Sequence, residues 1–172
     1  MEQNERKLNR LTNFDYSRNG LFFITICTID RKKCLSEILD VGDGVLDVPI
    51  VRLTDYGKIV NDQINEINSV YAKLKIMKYV IMPDHIHMIL FISDYETENG
   101  GRPGAASPTK SVNQIINGLK TISTKQIGFS VWQRSFHDHI IRNEREFLEI
   151  CNYIDNNPIN WVNDIYNQNF WR

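Results

Sequence analysis

The stretch LFFITICTI, residues 21–29, is rich in aromatic and β-branched residues, the composition of a buried strand. Alternation places Phe22, Ile24 and Ile26 on one face and Thr25, Cys27 and Ile29 on the other. Two further runs, LKIMKYVIM from Leu74 and HIHMILFI from His85, are separated by Pro83-Asp84 and predict a β-hairpin. VLDVPIVRLT, residues 45–54, predicts a short strand with a turn, and Pro49 keeps it out of a sheet centre. Elsewhere the period lengthens. TDYGKIVNDQINEINSVY, from Thr54, spaces Ile59, Ile64 and Ile67 as one side of an amphipathic helix. SVNQIINGLKTISTKQI predicts a second helix, capped by Ser111 or Thr109, with Ile115, Leu119 and Ile122 toward the core. Gly118 weakens it slightly. VWQRSFHDHIIR holds a short strand of ambiguous period, and NEREFLEICNYIDNNP predicts a third helix, capped by Asn143 and stopped by Pro158.

Between these elements, SDYETENGGRPGAASPTK, residues 93–110, has three glycines, two prolines and almost no apolar anchor, and reads as a flexible loop or arm. No internal repeat is visible. The elements predict one α+β domain over residues 1–172, an antiparallel sheet with helices mainly on one face.

Bulk composition excludes several classes. At 172 residues, with 42% apolar and 24% charged residues, the balance is that of an ordinary globular chain. No run approaches the eighteen or so apolar residues of a membrane span, and the polar MEQNERKLNR start resembles no secretion signal. Cys27, Cys34 and Cys151 are too few and too scattered for a disulfide scaffold or a thiolate cluster and suit a reducing cytoplasm. A net charge of -1 is not the signature of a nucleic-acid binder. The charge is uneven, however. Lys110, Lys120, Lys125, Arg134, Arg142 and Arg145 face only Asp138 and Glu144 along residues 110–145, while residues 37–55 are acidic. One basic face on a near-neutral protein fits this distribution, as do separate solvated charge runs.

The candidate chemistry starts at His85 and His87. On a strand they point the same way, with Ile86 and Met88 turned to the other side. Neutral imidazole suits Zn, Mn, Fe or Ni, and with carboxylate or carboxamide oxygens the set also tolerates Mg. Two histidines are only half a site, and the plain alternative is a pair of satisfied core or surface rings. In the third helix Tyr153 and Asn157 stand at i and i+4, one face presenting a phenol and a carboxamide. Tyr153 reads equally as a core aromatic and Asn157 as a helix terminator. Glu149, four residues before Tyr153, extends the same face as an outer acceptor. Phosphoryl transfer to a tyrosine would use such a set, because a phenol with a pKa near 10 is a weak nucleophile and needs the phosphate polarised.

Taken in order, FFITICTIDRK, YVIMPDHIHMILFI, an intervening helix and VWQRSFHDHIIRNEREFLEICNYIDNNPINW resemble the single-tyrosine transposases of the 200-type insertion sequences, which carry a histidine-hydrophobe-histidine motif. The REP-associated tyrosine transposases are the subgroup they resemble most. The resemblance runs from about Leu21 to Asp164. It implies a ferredoxin-like antiparallel sheet of about four to five strands, with the histidine pair on a central strand. It implies His85 and His87 as ligands of Mg or Mn, Asn157 completing the ligand set, and Tyr153 as the nucleophile joined to the 5′ side of a cleaved single strand. The implied substrate is single-stranded DNA folded into imperfect hairpins, cut and rejoined without ATP, in the cytoplasm at the nucleoid. Asp84 stands where many relatives have asparagine and reads as a turn residue.

Other positions are expectations of lesser reach. Arg134 and Arg142 are candidates for phosphate contacts, and Lys110, Lys120 and Lys125 for the path of a strand. His139 is a candidate to orient a ligand. Trp132 and Phe136 are expected to pack against the tyrosine helix. The aromatic tail YNQNFWR and the short C-terminus favour a homodimer, in which the tyrosine serves its own chain or the partner's. Two other functions fit the same residues: a domesticated protein that grips DNA hairpins without cutting, and a metal-dependent phosphoesterase using water.

Overall fold

A computed structural model of the protein describes residues 20–39, 49–71, 73–93 and 111–164. The aromatic and β-branched run near the start forms β1 (Gly20–Cys27). It is followed by a short ribbon of β2 (Ser36–Leu39) and β3 (Ile50–Leu53), then by α1 (Asp55–Val70). The hairpin of β4 (Leu74–Ile81) and β5 (His85–Ile92) comes next. The chain continues with α2 (Val112–Ile127), β6 (His137–Ile141) and α3 (Glu144–Asp164).

The main sheet has the order β4-β5-β1-β6, and every neighbouring pair is antiparallel. With α1 and α2 as the two crossovers, this is the ferredoxin-like arrangement the resemblance implied. β5 is an interior strand, so the histidine pair sits mid-sheet. The β2-β3 pair is a separate two-stranded ribbon, which agrees with the off-centre position that Pro49 imposes; β2 itself has no clear signal in KKCLSEILD.

The two faces of the sheet carry different helices. Phe22, Ile24 and Ile26 of β1 join Ile86, Met88, Leu90 and Ile92 of β5 in a core with Val60, Ile64 and Ile67 of α1 and Ile115, Ile116 and Leu119 of α2. On the opposite face Ile89 and Ile141 meet Ile154, with Phe23, Phe147 and Ile150 packed around them. α1 and α2 therefore share one face and α3 covers the other, so the one-sided expectation holds for two helices of three. The apolar stripe of α2 also differs from the expected one. Ile122 is 45% exposed, while Val112, Ile116 and Ser123 are buried. The stripe runs on i, i+4, i+8 from Ile115 through Leu119 to Ser123, and Ser123 is accepted because its hydroxyl receives the Trp132 indole N–H at 2.9 Å.

Helix ends follow the local chemistry. Thr54 caps α1 by accepting from the Gly57 N–H, and Ser111 with Gln114 forms a reciprocal capping box on α2. Gly128 closes α2 in the left-handed region at φ 91°. Asn143 accepts from the Glu146 N–H at 2.9 Å and starts α3. Pro158 does not stop α3, which runs on to Asp164. A proline costs the helix one hydrogen bond, and the extra turn is held instead by burial of Trp161. Among the described residues no helix is long and apolar enough to cross a membrane.

Two glycines in helices give opposite expectations. A Cβ at Gly57 would lie 2.0 Å from the Leu35 carbonyl oxygen, whereas a Cβ at Gly118 meets nothing within 4 Å. Urea unfolding of Gly57→Ala should show a loss of about 1–3 kcal/mol from forced backbone movement. Gly118→Ala should gain about 0.5–1 kcal/mol by helix propensity. Equal effects at the two sites would contradict this packing.

Candidate active site

The site is built where α3 crosses β5. In register, Thr25 of β1 lies opposite His87 and Cys27 opposite His85, so Thr25 and Cys27 share the face of the two histidines. Each imidazole is fixed through its Nδ1. That of His85 lies 2.6 Å from Asp84 Oδ1, and that of His87 lies 2.8 Å from Thr25 Oγ1. With these nitrogens occupied, Nε2 is the atom each ring presents to the site, the arrangement that orients histidine ligands. The rings lie 4.5 Å apart, centroid to centroid, and Phe23 stacks on His87 at 5.2 Å.

α3 lays a stripe of three residues over this pair. The Tyr153 hydroxyl is 3.3 Å from His87 Nε2, and the Trp161 ring is 5.9 Å from His85. Asn157 lies midway along that stripe, one turn from each. It is buried, and its Oδ1 has no hydrogen-bond partner. A buried, unpaired carboxamide oxygen is costly unless something comes to meet it. Two Nε2 atoms and this oxygen are a donor set suited to a divalent cation. No group of three or more His, Cys, Asp or Glu gathers among the described residues, so any metal would depend on the carboxamide. Burial, reinforced by the neighbouring His85 and Arg31 charges, holds His87 well below its ordinary pKa and keeps it neutral, as ligation requires.

No protein-family model matches the chain. An uncharacterised protein of Haemophilus influenzae is 30% identical over 92% of this chain and 91% of its own length. A second protein of that organism, described as a REP-associated tyrosine transposase, is 25% identical over 84% of this chain and 73% of its own. Among solved structures, a REP-associated tyrosine transposase bound to a REP hairpin superposes with a TM-score of 0.59, at 18% identity, over 87% of this chain and 73% of that one. The chain is thus similar in sequence to a REP-associated tyrosine transposase and shares the fold of another.

Not every residue singled out from the sequence stands at the site. His85, His87, Tyr153 and Asn157 come together in one chain. Glu149 is exposed and pairs with Arg145 at 2.9 Å, and His139 pairs with Glu146 at 2.6 Å near the start of α3. Both engage helix neighbours. Arg142 lines a shallow surface groove there with Asn143, Arg145, Glu146 and Glu149. Arg134 and Lys125 are exposed. Lys120 is not a groove residue. It is buried, its Nζ donates to the Gln133 and Ser135 carbonyls at 2.9 and 2.8 Å, and it stands over the Phe136 ring. Trp132 and Phe136 belong to the core on the α2 side, not to the face under α3. Lys110, most of the 93–110 arm and the YNQNFWR tail lie outside the described residues. Asp84, which reads as a turn residue in the sequence, and Thr25 anchor the two rings; their only sequence signal is placement beside or across from a histidine.

The depressed pKa of His87 has a measurable consequence. Unfolding exposes a ring that takes a proton near its ordinary 6.5, whereas the folded ring does so only at lower pH. Stability from this group is therefore complete above about pH 6.5 and falls as pH drops below it. In metal-free protein, imidazole NMR shifts should keep His87 neutral well below pH 6.5. A normal titration would contradict the buried geometry.

Proposed function

We propose that this protein is a transposase that cuts and rejoins single-stranded DNA at hairpin-bearing ends through a covalent 5′-phosphotyrosine on Tyr153. The observation that carries the reading is the Tyr153 hydroxyl poised over His87 Nε2, in the same chain as the anchored histidine pair. In the first step the Tyr153 oxygen bonds to phosphorus, the P–O3′ bond breaks, the phenol loses its proton and the departing 3′ oxygen gains one. Rejoining reverses these changes with a new 3′ hydroxyl, so no external energy source is consumed. His85 and His87 through Nε2, with Asn157 through Oδ1, would hold Mg or Mn. Such an ion supplies neutralisation of the charge that builds on the phosphate oxygens. Phe23 and Thr25 hold His87 in place, and Asp84 holds His85. The hairpin substrate is supported by the REP hairpin bound to the structurally similar transposase. Because Tyr153 reaches the histidines of its own chain, a homodimer is not needed to complete these four residues.

The deciding experiment incubates the protein with hairpin-bearing single-stranded oligonucleotides and Mn. A covalent adduct stable to denaturing gels should form and should vanish in Tyr153→Phe and in His87→Ala. Binding without any adduct would leave a hairpin-gripping protein, and turnover of small phosphoesters without an adduct would leave a phosphoesterase. The role given to Asp84 is checked separately. Asp84→Ala should weaken Mn binding about 10–100-fold, read from the free Mn signal by electron paramagnetic resonance. Unchanged affinity would remove Asp84 from the ligand-orienting role.

A further inference from the structure

The turn that follows β1 is unusual in its backbone and its charge. Asp30 and Arg31 both adopt the left-handed region, at φ 52° and 54°, although neither is glycine. Consecutive residues in this conformation persist only where their surroundings impose it. Here the restraint is visible. Thr28 donates both its N–H and its hydroxyl to the Asp84 carbonyl oxygen, and its hydroxyl is also 2.9 Å from the Lys32 carbonyl oxygen. The N–H groups of Cys34 and Leu35 both donate to the Pro83 carbonyl oxygen. The turn is thus fastened on both sides to residues 83–84, which lead directly into His85. Its side chains from Ile29 to Lys33 are all exposed.

This fixed turn displays three successive cations at the end of the sheet where β5 begins at His85. Arg31 Nε lies 3.3 Å from Asp84 Oδ2, the carboxylate whose other oxygen anchors His85. Lys33 Nζ stands 5.4 Å above the Trp161 ring, which itself borders His85. Lys32 Nζ stands 5.8 Å from the Phe129 ring, which is 42% exposed and rests edge-on against Tyr56. Against these cations stand the exposed Asp30 and the buried Asp84, so the exposed charge remains positive. A strip of cations interleaved with aromatic rings is the surface that takes a single nucleic-acid strand, phosphates on the cations and a base on the ring.

We propose that the turn Arg31–Lys33, with Phe129 at its far end, is the contact surface for the single-stranded DNA that runs past the histidine pair. This rests on the strand-transfer reading and adds to it the residues that guide the strand. The strain in the turn then has a use, because it holds the cations in one register relative to His85.

The test measures binding of a fluorescent hairpin-bearing oligonucleotide with a single-stranded flank, in EDTA, on a Tyr153→Phe background so that no cutting intervenes. Lys32→Ala/Lys33→Ala should bind more weakly and lower the salt slope by about 0.7 per lost contact. Phe129→Ala should weaken binding about tenfold when the flank is present and not when it is removed. Lys73→Ala/Lys75→Ala, an equal loss of charge at the opposite end of the sheet, should leave the slope unchanged. Thermal melting of all variants separates loss of contact from loss of fold. If the turn variants bind and titrate with salt as the parent does, the proposal is overturned. If the control pair lowers the slope equally, the effect is net charge and the proposal is likewise overturned. If the parent binds no oligonucleotide and unsubstituted protein forms no adduct, the strand-transfer reading itself fails first.

Discussion

Everything at this site depends on the two-residue period of one interior strand. β5 is buried on both sides over nearly its whole length, so its alternating side chains must satisfy two different environments at once. Ile86, Met88, Leu90 and Ile92 fill the core beneath α1 and α2. His85, His87 and Ile89 face α3. A shift of one residue in register would put both imidazoles into the aliphatic core and three aliphatic side chains into the site. The deep apolar packing on one side therefore fixes the position of the polar chemistry on the other. The hairpin to β4 and the antiparallel pairing to β1 hold that register from both edges.

Placement alone does not orient an imidazole, and the neighbours of β5 supply the orientation. Thr25 reaches His87 because β1 pairs in register across from it, and Asp84 reaches His85 because it immediately precedes it. Phe23 adds a ring against His87 and an edge contact to Tyr153 at 6.0 Å. α3 is in turn tied to the sheet by the Ile154 cluster and by the Lys78–Asp155 ion pair at 2.7 Å. An exposed ion pair of this kind is worth well under about 1 kcal/mol, so the apolar contacts set the height of α3 above the histidines. Tyr153 and the histidine pair are thus held by separate elements that meet through packing.

How much of this was legible in the chain depended on how local the signal was. The histidine face of β5 and the Tyr153–Asn157 stripe follow from short-range periods, and the ferredoxin-like strand order is what the resemblance implied; the fold bears out the shared faces and that order. The residues that misled are those whose role depends on distant partners. Lys120 looks like a strand-guiding cation until the carbonyls of Gln133 and Ser135, more than ten residues on, turn its ammonium inward. Ser123 looks polar and Ile122 apolar, yet the indole of Trp132 reverses which of them is buried. Pro158 carries a stop signal that the burial of Trp161 overrides. Asp84 looks like a turn residue because the guanidinium its carboxylate meets, that of Arg31, is brought to it only by the tertiary structure.

That last residue also explains why the strained turn after β1 belongs with the site. Asp84 carries two obligations, since one oxygen anchors His85 and the other meets Arg31, while its main-chain carbonyl accepts from Thr28. A buried carboxylate is tolerated only when such partners neutralise and saturate it. Removing Arg31 from the left-handed turn would leave Asp84 short of a cation and loosen the anchor of His85. The geometry of the turn and the orientation of the histidine are therefore coupled through a single side chain. Its neighbours Lys32 and Lys33 share the same rigid frame, so a strand gripped by the turn, as proposed, would be held in fixed relation to the imidazole pair rather than on an independent surface.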